Sequence, residues 1–188
     1  TGNKEELIRR ILRIMLSKFY PYTFLTAEML AFAIAQEEDK RVDRTRNSQH
    51  DTITGICGEL VFLQYWFGDW RNYTSILGGM GQIDLNGIIE IKSSATPLQG
   101  KVSLMARLDY VDKREPEVYV QVIFDTTDGE KNTLVEGMRA YIVGWTTHDE
   151  VKDAKVEKYG YDVKVVPVSE LNPIKELKSY LEDDTIEF

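Results

Sequence analysis

One stretch of the sequence combines a glycine turn with an apolar strand that carries charges: Gly81-Gln82-Ile83-Asp84-Leu85-Asn86-Gly87-Ile88-Ile89-Glu90-Ile91-Lys92. Its apolar residues predict a strand over 88–93, and the Asn-Gly pair predicts a turn before that strand. Successive side chains of a strand point to opposite faces, so Glu90 and Lys92 share one face while the isoleucines beside them point into a core. The stretch therefore predicts a hairpin with two charges on one side.

The length of the hairpin loop decides whether Asp84 joins these charges. A two-residue turn at 86–87 would pair Leu85 with Ile88 and place Asp84 on the opposite face. A three-residue loop over 85–87, with Gly87 in the left-handed conformation, places Asp84 opposite Ile88. We expect the three-residue loop, so that Asp84, Glu90 and Lys92 share one face.

Two carboxylates on one patch repel each other unless a cation compensates them. Mg²⁺ prefers oxygen ligands and is commonly held by one or two carboxylates together with water and substrate phosphate. Asp84 and Glu90 therefore predict a Mg²⁺ site, in which Mn²⁺ could substitute, and the carbonyl of Ile91 could add a ligand. Lys92 could hold a phosphate oxygen, orient the attacking water or take its proton. The pattern favours phosphodiester hydrolysis.

The rest of the chain predicts one domain over 1–188 with no dividing linker. We expect N-terminal helices in 1–47, a core over 48–146, and a C-terminal strand and helix in 147–188. The predicted helices are 4–19, a second capped by Thr26 and largely buried, a third from 48–52 to about 67, a short one at 102–112 and a last one from 172. Predicted strands are 72–77, 82–85, 88–93, 118–125, 139–145 and 162–168. This order predicts an α/β or α+β fold with a mixed sheet flanked by helices.

The charged strand and the order of elements resemble the PD-(D/E)XK nuclease superfamily, the restriction-endonuclease-like fold. Asp84 matches the acidic residue of its first motif, and Glu90-Ile91-Lys92 matches its E-x-K motif. The αβββαβ core of the family corresponds to residues 48–146. In many members the helix before the meander contributes a glutamate, for which Glu59 is the match.

The resemblance implies a Mg²⁺-dependent DNA nuclease, with Asp84, Glu90, Lys92 and Glu59 as catalytic residues. The metal ligands would be Asp84, Glu90, Glu59 and the Ile91 carbonyl. Next to Glu59, Gly55 and Gly58 would let the helix approach the sheet closely.

Four further residues are candidates for contacts with DNA: Ser93, Ser94, Lys101 and Gln121. The serines could equally be turn formers at a strand end. Gln121 alternates with an apolar set and could face the site, or it could be an exposed strand residue. Arg107 is a weaker candidate on the short helix expected there.

Composition limits the classes of function. The chain has 188 residues and a formal charge of −8, from 23 basic and 31 acidic side chains, which argues against coating nucleic acid through bulk charge. We therefore expect weak, salt-sensitive DNA binding that depends on a divalent metal. One cysteine and two histidines exclude an internal disulfide and the usual four-ligand zinc site. The longest apolar run, 29–35, is too short for a membrane span, so we expect no membrane partner and a cytoplasmic location, in the host cell if the source is viral.

Two alternatives remain open at this point. A nuclease-like fold could serve as a nucleic-acid-binding or assembly module without catalysis, or the charged strand could be a solvated surface of a protein with no nucleic-acid partner. Restriction, recombination and repair roles all remain open for a nuclease, as does a second subunit that would make a homodimer.

Overall fold

The computed structural model describes residues 2–39, 46–73, 87–98 and 102–183. Within these ranges it has six helices: α1 Gly2–Phe19, α2 Ala27–Asp39, α3 Arg46–Phe67, α4 Leu108–Val111, α5 His148–Asp153 and α6 Leu177–Asp183. The strands of these ranges are β1 Tyr22–Phe24, β2 Ile89–Thr96, β3 Ser103–Arg107, β4 Val118–Asp125, β5 Arg139–Thr147, β6 Lys155–Lys158 and β7 Asp162–Pro167. Short 3₁₀ turns lie at Trp70–Asn72, Val168–Glu170 and Ile174–Glu176.

The strands form two sheets. The first is mixed, in the order β1-β5-β4-β2, with β2 and β4 parallel and the other neighbours antiparallel. The second is antiparallel, in the order β3-β7-β6. The predicted mixed α/β class with a mixed sheet is confirmed.

Both faces of the first sheet are covered. On one face, β2 and β4 share a core with α2, α3 and α6, and this core includes the predicted apolar face of β4: Val118, Val120, Val122 and Phe124. On the other face, Tyr119 packs against residues of β3, α4, α5 and β7. Burial on both sides explains why β4 is a nearly continuous apolar run. The face of β2 that carries Glu90 is thus the face turned toward the second sheet.

Helix α3 approaches strand β2 closely at Gly58. A Cβ atom on Gly58 would lie 1.7 Å from Ser93 Oγ and 2.8 Å from Ser93 Cβ, which no packed structure tolerates. The predicted close approach is therefore confirmed at Gly58. At Gly55 the prediction is wrong, because a Cβ there would meet nothing within 4 Å.

Two segments fold differently from the sequence prediction. The prediction of a short helix at 102–112 is wrong for the first half of that range, which forms strand β3. Pairing with β7 makes burial alternate along this strand, so Leu104 and Ala106 are buried while Met105 is exposed. The strand predicted from 72 does not begin there, since Asp69 caps a 3₁₀ turn by accepting from the Arg71 amide. Residues 74–77 and the predicted strand at 82–85 lie outside the described residues.

The C-terminal part holds two elements that the sequence prediction lacked, helix α5 and strand β6. Thr147 caps α5 by accepting from the Glu150 amide, directly where β5 ends. β6 is short and mostly charged, so it carries no alternating apolar signal. Both lie beside β7, so the predicted last strand belongs to a three-stranded sheet rather than standing alone.

The N-terminal helices agree with the prediction in position. The Met29 amide donates to Thr26 Oγ1 over 3.2 Å, which confirms the cap of α2. The expectation that α2 is largely buried is wrong, because only Met29, Ala33 and Glu37 are buried and the rest of the helix lies nearer solvent. Of the helices in the part of the chain that the structure describes, none is both long and apolar enough to cross a membrane.

Candidate active site

Glu90 and Lys92 form a partly buried ion pair on β2. Lys92 Nζ lies 3.0 Å from Glu90 Oε1, and the two side chains are 25% and 10% exposed, respectively. The neighbouring Ile89 and Ile91 belong to the core on the other face, which confirms the predicted alternation. Glu90 Oε2 is buried and has no hydrogen-bond partner among the described residues. Lys92 therefore satisfies one carboxylate oxygen and leaves the other for a further cationic partner.

Gln121 lies beside this pair on the neighbouring strand. The parallel register places Gln121 opposite Lys92, and the glutamine is only 1% exposed. Its Nε2 donates to the Val122 carbonyl over 2.9 Å and lies 3.4 Å from Ser94 Oγ. Gln121 thus shares the face of Lys92, the alternative of an exposed strand residue is wrong, and a contact of Gln121 with DNA stays a prediction. Ser94 shares this face.

Tyr119 and His148 extend the polar row beyond Gln121. Tyr119 lies opposite Glu90 in the parallel register and is 3% exposed. Its Oη lies 3.3 Å from His148 Nδ1, and the two rings stack with their centroids 6.0 Å apart. Burial, and then the charge of Glu90, raise the pKa of Tyr119 to about 12, against the smaller opposing effect of Arg114. The phenol is therefore neutral and lies within electrostatic reach of both charges.

Ser93 faces away from the pair. It lies on the side of β2 that packs against α3, where its Oγ fills the space left by Gly58. This oxygen is buried and has no hydrogen-bond partner among the described residues. Ser93 therefore packs beneath the helix on the opposite side of β2 from the charged pair, and its contact with DNA stays a prediction.

Glu59 lies on α3, next to Gly58. The residue is half-buried and its Oε2 is buried. Its charge acts on the neighbouring Cys57 thiol, which belongs to the core beneath α3. Glu59 as a metal ligand stays a prediction, as does the carbonyl of Ile91.

Two predicted site residues, Asp84 and Lys101, lie outside the described residues, and so does most of the hairpin loop. Gly87 has φ +77°, the left-handed conformation expected of it. Gly87 and Ile88 are nevertheless helical and β2 begins at Ile89, so the described end of the predicted hairpin is not a loop that leads into a strand at Ile88. Within the described ranges no group of three or more His, Cys, Asp or Glu residues is arranged to hold a metal ion. The proposed metal site therefore depends on Asp84 joining Glu90.

Cys57 is buried as predicted for an apolar position of α3. Burial, and then the charge of Glu59, raise the pKa of its thiol to about 12. Because the thiolate is the reactive form, we expect an alkylating reagent near pH 8.5 to modify the native protein at least about 10²-fold more slowly than the urea-unfolded chain. Mass spectrometry of timed samples measures both rates. Equal rates would contradict the burial of this thiol.

No protein-family model, no curated protein and no solved structure matches this chain.

Sequence reasoning missed Tyr119 and His148 as members of the polar row. Alternation along β4 could have found Tyr119, since it shares the face of Gln121 two residues away. His148 carried no such signal. Its contact depends on β5 ending at Thr147 and α5 beginning there, which brings the ring over Tyr119.

Proposed function

We propose that this chain is a Mg²⁺-dependent nuclease that hydrolyses DNA phosphodiester bonds, an endonuclease of the restriction, recombination or repair type. The observation that carries the proposal is the Glu90–Lys92 pair on β2, with one carboxylate oxygen satisfied by lysine and the other buried with no hydrogen-bond partner among the described residues. A buried carboxylate oxygen without a hydrogen-bond partner lowers the stability of the fold. Proteins usually keep such a destabilising group because it serves a function.

Glu90 Oε2 is the main reason to expect that a metal ion fits this site. Glu90 Oε2 is a hard anionic donor of the kind that Mg²⁺ takes, and Asp84 lies six residues earlier on the same charged stretch. Glu90 and Asp84 would hold the ion, with Glu59 and the Ile91 carbonyl as further ligands. When bound, Mg²⁺ supplies neutralisation of the charge that develops on the phosphate and a lower pKa for the attacking water.

Lys92 supplies the second chemical role. Its ammonium group is held 3.0 Å from Glu90 Oε1 and is only 25% exposed, so its position is fixed relative to the carboxylate. A fixed ammonium at this point can hold a non-bridging phosphate oxygen or orient the attacking water. Gln121, opposite Lys92, borders the same space.

The topology around β2 supports the restriction-endonuclease-like part of the proposal. β2 and β4 are parallel neighbours, which requires a crossover between them, and that crossover contains helix α4 as well as strand β3, which pairs in the second sheet. A helix, α3, precedes the charged strand and packs on its apolar side. This order corresponds to the helix, strand, helix and strand of the family core.

A nuclease-like module without catalysis is the competing function, and metal binding distinguishes the two. We expect calorimetric titration with Mg²⁺ or Mn²⁺ to show binding to the unaltered chain and at least about tenfold weaker binding to Glu90→Gln, because the substitution removes the anionic ligand and keeps its shape. Glu130→Gln, an exposed residue in the turn beyond β4, is the matched control and should bind like the unaltered chain. DNA binding with no metal binding would favour the non-catalytic module.

A further inference from the structure

Arg114 differs from the nearby Arg107 in that no acidic side chain of the described residues neutralises it. It is half-buried, and its guanidinium lies over the Tyr110 ring, 4.5 Å from the centroid. Its amide donates to the Tyr110 carbonyl over 2.8 Å, which fixes the start of the side chain. Arg107 is neutralised by Asp109, whereas no carboxylate of the described residues forms an ion pair with Arg114.

His148 presents a second donor on the same side of the sheet. The neutral phenol of Tyr119 is an O–H donor 3.3 Å from His148 Nδ1. When Nδ1 accepts this hydrogen bond, the neutral ring carries its own hydrogen on Nε2, and His148 is only half-buried. The His148 amide donates to the Glu117 carbonyl over 3.1 Å, which holds the start of α5 against the loop after Arg114.

Both groups are connected through Tyr119 to the row that contains the Glu90–Lys92 pair. Tyr119 is opposite Glu90 in the strand register and touches His148, so one side chain connects the carboxylate to the histidine. The charges of Glu90 and Arg114 both act on this phenol. The acids that follow Arg114 in its loop, Glu115 and Glu117, are exposed and therefore screened by solvent.

We propose that Arg114 and His148 form a subsite for a backbone phosphate of the DNA, beside the Glu90–Lys92 pair, with Tyr119 as the positioning residue for His148. The inference rests on the proposed function, because it names the part of the substrate that this face binds. A stacked guanidinium without a carboxylate partner offers paired N–H donors that match phosphate oxygens. A chain of charge −8 needs such local cationic groups to hold a polyanion at all.

The test is binding of a short DNA duplex, measured by fluorescence anisotropy with Ca²⁺ in place of Mg²⁺ so that the duplex stays intact. We expect Arg114→Gln to weaken binding about tenfold and to reduce the slope of log affinity against log salt by about 1. Arg114→Lys should recover part of the affinity and the full slope, because it keeps the charge. Arg71→Gln is the matched control, since Arg71 pairs with Glu28 of α2 on the opposite side of the sheet.

His148→Gln should weaken binding about threefold, the effect of one neutral hydrogen bond. Tyr119→Phe should weaken binding by the same factor. The double variant should bind no more weakly than His148→Gln alone, because Tyr119 acts through His148. If Tyr119 had an independent structural effect, the double variant would bind more weakly than either single variant. Equal affinity and salt slope for Arg114→Gln and Arg71→Gln would overturn the subsite while leaving the nuclease proposal standing. Failure of the unaltered chain to bind the duplex at low salt would overturn the duplex subsite, and failure to bind single-stranded and branched DNA as well would overturn both proposals.

Discussion

Replacing Glu90 with glutamine is expected to reduce Mg²⁺-dependent DNA cleavage by at least about 10²- to 10³-fold while leaving the fold intact. The substitution removes the buried anionic oxygen that would hold the metal, and with it the neutralisation of charge in the transition state. The fold should tolerate the change, because the amide oxygen of glutamine can still accept from Lys92 Nζ. Cleavage rates at fixed DNA concentration and thermal unfolding of the same samples measure the two effects separately.

Lys92→Ala and Asp84→Ala are each expected to abolish cleavage as well. Glu130→Gln, at an exposed position in the turn beyond β4, changes the net charge equally and should cleave at the rate of the unaltered chain. Full activity in Lys92→Ala would remove that lysine from the mechanism. Full activity in Glu90→Gln would remove the carboxylate on which the proposed site is centred.

Replacing Gly58 with alanine is expected to lower the free energy of unfolding by about 1–3 kcal/mol, despite the better helix propensity of alanine. The added Cβ would lie 1.7 Å from Ser93 Oγ. Rotation of the Ser93 hydroxyl cannot relieve the contact, because Ser93 Cβ itself would be only 2.8 Å away. Helix α3 must therefore shift from β2, which loosens the core that supports Glu90 from behind. Urea unfolding monitored by tryptophan fluorescence measures the change.

Gly55→Ala is the matched control on the same helix. Nothing lies within 4 Å of a Cβ at this position, so alanine should raise the free energy of unfolding by up to about 1 kcal/mol through helix propensity alone. Ser93→Gly in the Gly58→Ala background removes the opposing atoms and should restore part of the loss. Gly58→Ala and Gly55→Ala of equal stability would contradict the packing of α3 on β2.

The face of the charged strand could be predicted from the sequence because it depends only on alternation. Glu90 and Lys92 stand on one side and the isoleucines on the other, as the register with β4 shows. The same rule places Gln121 beside Lys92. Local patterns also identified the first three helices, since apolar stripes and the Thr26 cap of α2 are short-range signals. The start of α3 was predicted less well, because the helix begins at Arg46 and not at 48–52.

Features that depend on contacts distant in the sequence could not be predicted in this way. Ser93 follows the E-x-K motif, but its role is set by Gly58, 35 residues earlier, so it packs against α3 and does not face the charged pair. The sequence of strand β3 predicts a helix, but these residues form a strand because they pair with β7, more than 50 residues later. His148 joins the site only through the junction between β5 and α5. In each case tertiary pairing overrides a weak local preference.

The most direct test of the account is incubation of the purified chain with supercoiled, linear, single-stranded and branched DNA, with Mg²⁺ and with EDTA. The account predicts cleavage of at least one of these substrates that requires the metal and is lost in Glu90→Gln. Absence of cleavage of every substrate in both Mg²⁺ and Mn²⁺, by a protein that is folded and binds DNA, would contradict it.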